Sequence, residues 1–238
     1  MTDRSILFSG PMVRALLAGT KFQTRRVIDF PSIDKVVEFV RIGFERDTGV
    51  PIYEMKDAGD QHLFQPTGKH LQTPHWSPRF AVGDRLYVRE AWRSHAAYDD
   101  ISPAAMGGDE AILYVADDAH QTWGYPAITK LGRFRQGMHM PRWASRLTLA
   151  VTDVRVQRLQ DIREADAIAE GCPISTIPGT IGHPLCQVGF NEMGTPIFWY
   201  RKLWNNLNAD RGFGWETNPW VVAVTFTVER RNIDEARP

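Results

Sequence analysis

Between Gly19 and Val27 the chain reads Gly-Thr-Lys-Phe-Gln-Thr-Arg-Arg-Val, which crowds Lys21, Thr24, Arg25 and Arg26 behind a helix-stopping glycine. A lysine beside a threonine can do nucleophilic chemistry. The amine takes the hydroxyl proton and the oxygen attacks. An ordinary lysine holds its proton up to a pKa of about 10.4, too high for a base near neutrality. Burial and neighbouring cations lower that value, and an inward-pointing Arg26 acts in this direction. Spacing decides whether the two groups meet. Residues i and i+3 share one side of a helical turn and take opposite sides of a strand. The competing reading puts Lys21 and Arg25 on a solvated turn and makes Thr24 the start of a strand.

The elements around this stretch follow from periodicity and turn residues. "SGPMVRALLAG" predicts a short helix capped by Ser9 or Gly10, with Pro11 in its first turn, Met12, Ala15 and Leu16 on one face, and Gly19 at its end. Val27 to Phe30 reads as extended. A hairpin is expected around Asp47-Thr48-Gly49, then a long loop, then a turn at Gly83-Asp84 and a strand from Leu86 to Glu90. "AILYVAD" is a further strand. "RLTLAVTDVRVQRLQ" alternates, with a slip of phase near Asp153 that predicts a bulge or bend. "DIREADAIAEG" and "PIFWYRKLWNNLNA" predict helices, the second with Phe198, Leu203 and Trp204 toward the core. "NPWVVAVTFTVERR" closes the chain as a strand. Strands separated by turns rather than regular crossover helices predict an α+β fold around a mixed or antiparallel barrel-like sheet.

Composition narrows the function classes. The 238 residues carry 28 basic and 28 acidic side chains, so nucleic acid could be held only by a local patch. Such a patch is present in residues 123–146, which hold Lys130, Arg133, Arg135, Arg142 and Arg146, no acid, and Trp123, Tyr125, Phe134 and Trp143. Cations interleaved with aromatics suit single-stranded nucleic acid. The other reading is a basic face that balances the acidic stretch 94–118. Cys172 and Cys186 cannot frame a disulfide-rich fold or a zinc site by themselves. His70 and His75 have no third partner at metal-ligand spacing. No signal-peptide pattern and no membrane-length apolar run is visible, so a cytoplasmic protein without metal, cofactor or membrane partner is expected.

Four pieces, "LLAGTKFQTRR", "VGDRLYVRE", "LQDIREADAIAEG" and "WVVAVTFTVE", occur in an order that resembles the ASCH domain family of PUA-like fold. With "PMVRALLAGTKFQTRR", "HMPRWASRLTL" and "NPW", the whole chain is similar to the long members found in phages and prophages. The likeness covers roughly residues 5–30, 79–92, 142–172 and 198–229. It implies a single domain over 1–238, with a barrel-like mixed sheet, flanking short helices, and insertions at about 31–78, 94–141 and 173–197. Small bacterial members hydrolyse N4-acetylcytidine with a lysine and a threonine of the first motif and a glutamate before the long loop. The matching positions are Lys21, Thr24 and Glu170, with Arg26 beside them. The resemblance therefore implies a metal-independent amidohydrolase acting on a modified cytosine nucleoside or nucleotide. Other members are regarded as RNA-binding modules, so a non-enzymatic RNA- or DNA-binding role is the alternative, and a nuclease of the same fold a third.

Glu170 fits such chemistry as a proton shuttle to the departing base. It closes a predicted helix, where the macrodipole favours cations over carboxylates, which is a second hint that it is not there for the helix. The bland reading is an exposed glutamate in a last turn. Phe22, Trp92 and Trp143 are candidates to stack a base, and Arg89 and Glu90 to wall the pocket. Their competing roles are core packing and an ion pair across strands.

Overall fold

The structure is a computed structural model that describes residues 2–29, 33, 36–45, 49–56, 58, 75–121, 124–173 and 195–235. In chain order the elements are β1 (Asp3–Leu7), α1 (Gly10–Leu17), β2 (Gln23–Val27), β3 (Glu38–Phe44), β4 (Pro51–Lys56), β5 (His75–Trp76), β6 (Arg85–Arg89), β7 (Trp92–Arg93), β8 (Leu113–Tyr114), β9 (Ala119–His120), β10 (Thr148–Arg158), α2 (Glu164–Ala169), α3 (Pro196–Asn208) and β11 (Trp220–Glu229). The fold is α+β, with mostly sheet and few helices. No described sheet closes into a barrel, because β1 and β2 each end a row of strands. The expected barrel is corrected to open sheets on this point.

The chain divides into two compact units, each built from separated segments. The first holds residues 23–83 and 151–225 and the second holds 2–22, 84–150 and 226–238. In the first unit β2 pairs antiparallel with β11, Gln23 opposite Thr225 and Val27 opposite Val221. Strands β3, β4 and β5 form an antiparallel sheet with a register shift between Arg41 and Gly43. The core of this unit gathers Leu159, Ile162, Ala167, Tyr200, Trp204, Trp215 and Val221. Helix α3 presents Tyr200 and Trp204 to it, with Leu203 partly buried. The spacing 200/204 is one helical turn, so Tyr200 takes the inward place expected for Phe198. Thr195 caps α3 by accepting the Phe198 amide at 3.2 Å.

In the second unit β1 runs parallel to β6, and β6 pairs antiparallel with the start of β10. Strand β1 was not legible as a strand in "DRSIL". The stretch "AILYVAD" yields only Leu113–Tyr114, paired with β7 and β9. Its hydrophobic cluster is Trp92, Met106, Ile112, Tyr114, Met140 and Ala144, with Trp143 packed against it. Helix α1 ends where expected. Gly19 takes a positive φ of 70°, which an L side chain rarely adopts. Extended structure then begins at once, so β2 is Gln23–Val27 and ends at the residue where the expected extended run began. The slip near Asp153 is real in burial, since inward positions change from Leu149 and Val151 to Val154, yet β10 continues through it. The hairpin tip at Asp47-Thr48, His70, Trp123 and Cys186 lie outside the described residues.

Candidate active site

The first unit places a buried cluster of charge on strand β2. Arg25 lies opposite the small Ala223, and its side chain is 0% exposed. Its Nη1 donates to Gln23 Oε1 at 2.7 Å and to Glu170 Oε1 at 3.1 Å. Its Nη2 lies 3.5 Å from Asp166 Oδ2, and the guanidinium carbon 5.8 Å from the centre of the Tyr200 ring. Gln23 is fixed in turn by donating to Thr225 Oγ1 at 3.1 Å. The solvated-turn reading of Arg25 is overturned by this burial. A guanidinium stripped of water needs anions and acceptors, and α2 supplies two carboxylates one helical turn apart.

Glu170 caps α2 at its C-terminus, with Gly171 just beyond at a φ of 98°. It is 3% exposed, so the reading of an exposed last-turn residue fails. The position opposes the helix dipole, and Arg25 offsets that cost. The Tyr200 hydroxyl hydrogen-bonds Glu170. Burial, then the charge of Glu170, pushes the phenol well above its ordinary range, against the pull of Arg25 and Arg26. Tyr200 is therefore a fixed proton donor. Burial pushes Asp166 up, but the Arg163 amide, Arg155 and Arg25 outweigh it and hold the carboxyl below its ordinary value.

Thr24 is buried on the same strand. Alternation turns Thr24 and Arg26 to one face of β2 and Gln23 and Arg25 to the other. Burial pulls the half-buried Arg26 below its ordinary value, and the charge of Glu170 pulls the other way. Glu170 thus acts on both parities of the strand, directly on Arg25 and through its field on Arg26. Among the described strands β2 is the last of its row.

The second unit contains Lys21, Phe22, Arg89, Glu90 and Trp143. Lys21 is 0% exposed, its Nζ 5.6 Å from the centre of the Phe8 ring, and its amide bonds the Ala15 carbonyl at 3.2 Å. The solvated-turn reading fails here too. Lys21 sits in a β-bridge and β2 begins two residues later, so no helical turn sets Lys21 and Thr24 side by side. Phe22 is exposed. Arg89 donates to the Met140 carbonyl at 3.0 Å. Glu90 is buried and takes both prongs of Arg146 at 2.9 and 3.0 Å, so its ion pair is with Arg146 and not with its neighbour Arg89. Burial pushes Glu90 up, against Arg146.

No family model, curated protein or solved structure matches this chain. The chemistry of the side chains therefore carries the reading. Among the described residues no group of three or more His, Cys, Asp or Glu side chains is placed to hold a metal ion, and no helix is long and apolar enough to cross a membrane.

Sequence reasoning missed Gln23, Asp166 and Tyr200, and gave Arg25 no role. Asp166 lies four residues before Glu170, and that spacing was a legible signal. Tyr200 had no signal beyond its place in an amphipathic helix.

Proposed function

We propose that the chain is an amidohydrolase that removes an acyl group from N4-acylated cytosine, with Thr24 as nucleophile, Lys21 as base and Glu170 as proton shuttle. The observation that carries the reading is burial: Lys21, Thr24 and Glu170 are all nearly sealed from water. Ionisable groups are rarely buried for packing alone. Lys21 and Thr24 lie three residues apart in extended chain, so the proposal requires the proton to pass between them through a water or the bound substrate rather than across a shared helical turn.

In this reaction Thr24 Oγ attacks the acyl carbon and its proton passes to the Lys21 amine. The carbon–nitrogen bond breaks as the Lys21 ammonium gives that proton to the Glu170 carboxylate, which passes it to the departing cytosine. Water then cleaves the threonyl ester, releasing the acid. Arg25 and Tyr200 hold the Glu170 carboxylate in position. Arg26 places a positive charge near the oxyanion as it forms.

A base-binding module without chemistry is the second reading. The direct bond from Arg25 to Glu170 favours it, because a carboxylate clamped by a guanidinium recognises a base edge without moving a proton. Incubation with N4-acetylcytidine separates the two. The proposal expects cytidine and acetate in equal amounts. Binding without release of cytidine leaves only the module.

A further inference from the structure

The basic segment that the sequence shows as one patch is split in two by the structure. Arg142 is held by Asp3 at 2.6 Å and by Asp234, and Arg146 by Glu90 and Asp117. These two cations neutralise carboxylates of their own unit. Lys130, Arg133 and Arg135 differ. Among the described residues none of them meets a carboxylate at ion-pair distance. Within the segment, the cations that form no ion pair among the described residues are thus those of residues 130–135, with Asp99 acting on Arg135 from nearby.

A surface pocket of about 520 Å³ opens at this place, lined by Ser102, Arg133, Phe134, Arg135, Gln136 and His139 among others. That volume suits one nucleotide. Its base is rigid. Strand-like bonds at 3.0 and 2.9 Å join the backbones of Trp92 and Arg135. The buried Arg135 guanidinium donates to the carbonyls of Tyr98 and Ile101 and lies 5.2 Å from the centre of the Trp92 ring. Its Nε is buried without a hydrogen-bond acceptor. Gly132 lets this turn close on the segment before it, because a Cβ there would stand 2.7 Å from Asp99 Oδ1 and 2.8 Å from the Ser94 carbonyl. The Arg133 amide donates to that same Asp99 oxygen at 2.8 Å, and Arg133 itself is exposed.

Phe134 lines the pocket, and Tyr125 is a second exposed aromatic of the same unit. Phe134 is 51% exposed, with the Arg93 guanidinium 5.9 Å from its ring centre, and Tyr125 is 82% exposed. An exposed aromatic beside exposed cations that form no ion pair matches a stacked base beside a phosphate. An acidic peptide would use the cations and leave the rings bare.

We infer that this pocket is a binding site for single-stranded nucleic acid, with a phosphate at Arg133 and a base stacked on Phe134. The inference does not rest on the hydrolase reading. Binding of a labelled oligouridylate to the full chain, followed by fluorescence anisotropy across a salt series, tests it. Log affinity should fall linearly with log salt. Arg133→Gln should reduce the slope by about 0.7, the share of one single-strand phosphate. Phe134→Ala should weaken binding roughly tenfold or more at unchanged slope. Lys202→Gln removes an equal charge from α3 and should change neither. Both test side chains are exposed, and circular dichroism of each variant should match the parent. Absence of binding at low salt overturns the inference. So does an equal effect of Lys202→Gln and Arg133→Gln, or competition by uridine monophosphate as strong as by the oligomer.

Discussion

Arg25 shows how far a single residue type can be misread from sequence. Next to Lys21 and Arg26 it reads as one more solvated cation, because a list of neighbours in sequence contains no anion. Its partners come from α2, more than 140 positions later, at 3.1 Å from Glu170 and 3.5 Å from Asp166. The pair is buried, so its net value is set by desolvation as much as by attraction. Removing one member leaves an uncompensated charge and costs about 3–5 kcal/mol, whereas removing both is often near neutral. Arg25→Met should therefore lower the urea midpoint strongly. The double variant Arg25→Met/Glu170→Gln should recover part of the loss. Single and double variants of equal stability would show that the two do not interact. Tyr200→Phe removes one hydrogen bond to a charged group and should cost about 1.5–3 kcal/mol by the same measurement. A Tyr200→Phe protein as stable as the parent would remove the phenol from the cluster.

Among the elements, those with a strong local signal were legible. Helix α1 has Pro11 in its first turn and Gly19 after its end, and it forms where those residues put it. Helices α2 and α3 and strand β11 also follow their patterns. Strand β1 was missed because five residues with two charges show no clear alternation. It is made by pairing with β6, a contact more than 80 positions away. The start of β2 was misplaced because the helix needs a single glycine to end it, and the chain is extended again by Lys21. That early start also decides the geometry of the first motif, since it rules out the helical turn that would bring Lys21 and Thr24 to one face. Thr195→Ala tests the packing of α3 at this scale. Losing the cap to the Phe198 amide should destabilise the protein by about 1 kcal/mol. No change in the urea midpoint would mean that tertiary packing alone fixes that helix end.

Across the whole molecule, zero net charge hides paired opposites. Asp3 and Asp234 meet Arg142, and Asp117 meets Arg146. For Asp234 the Arg142 hydrogen bond is the main effect and pulls downward. For Asp3 and Asp117 burial acts upward first and the arginines outweigh it. All three carboxyls are held below their ordinary value. A depressed carboxyl contributes stability that is present above its unfolded value of 3.8 and is lost as pH falls through the folded one. Stability should thus be flat near neutrality and fall on acidification below about pH 4. The variant Asp3→Asn/Asp234→Asn should flatten that acid limb, and an unchanged limb would place the proton uptake elsewhere. At this scale the sequence showed the charge blocks but not which cations were already spent, because pairing across 139 positions in the case of Asp3 and Arg142 is invisible in one dimension. The central claim is that Lys21 and Thr24 act together on an acylated cytosine. The most direct measurement is turnover of N4-acetylcytidine by Lys21→Met, Thr24→Val and the double variant. Two groups acting as one unit should each lose on the order of 10²-fold or more, with the double variant little worse than either. Cytidine release at the parent rate from both single variants would contradict the account.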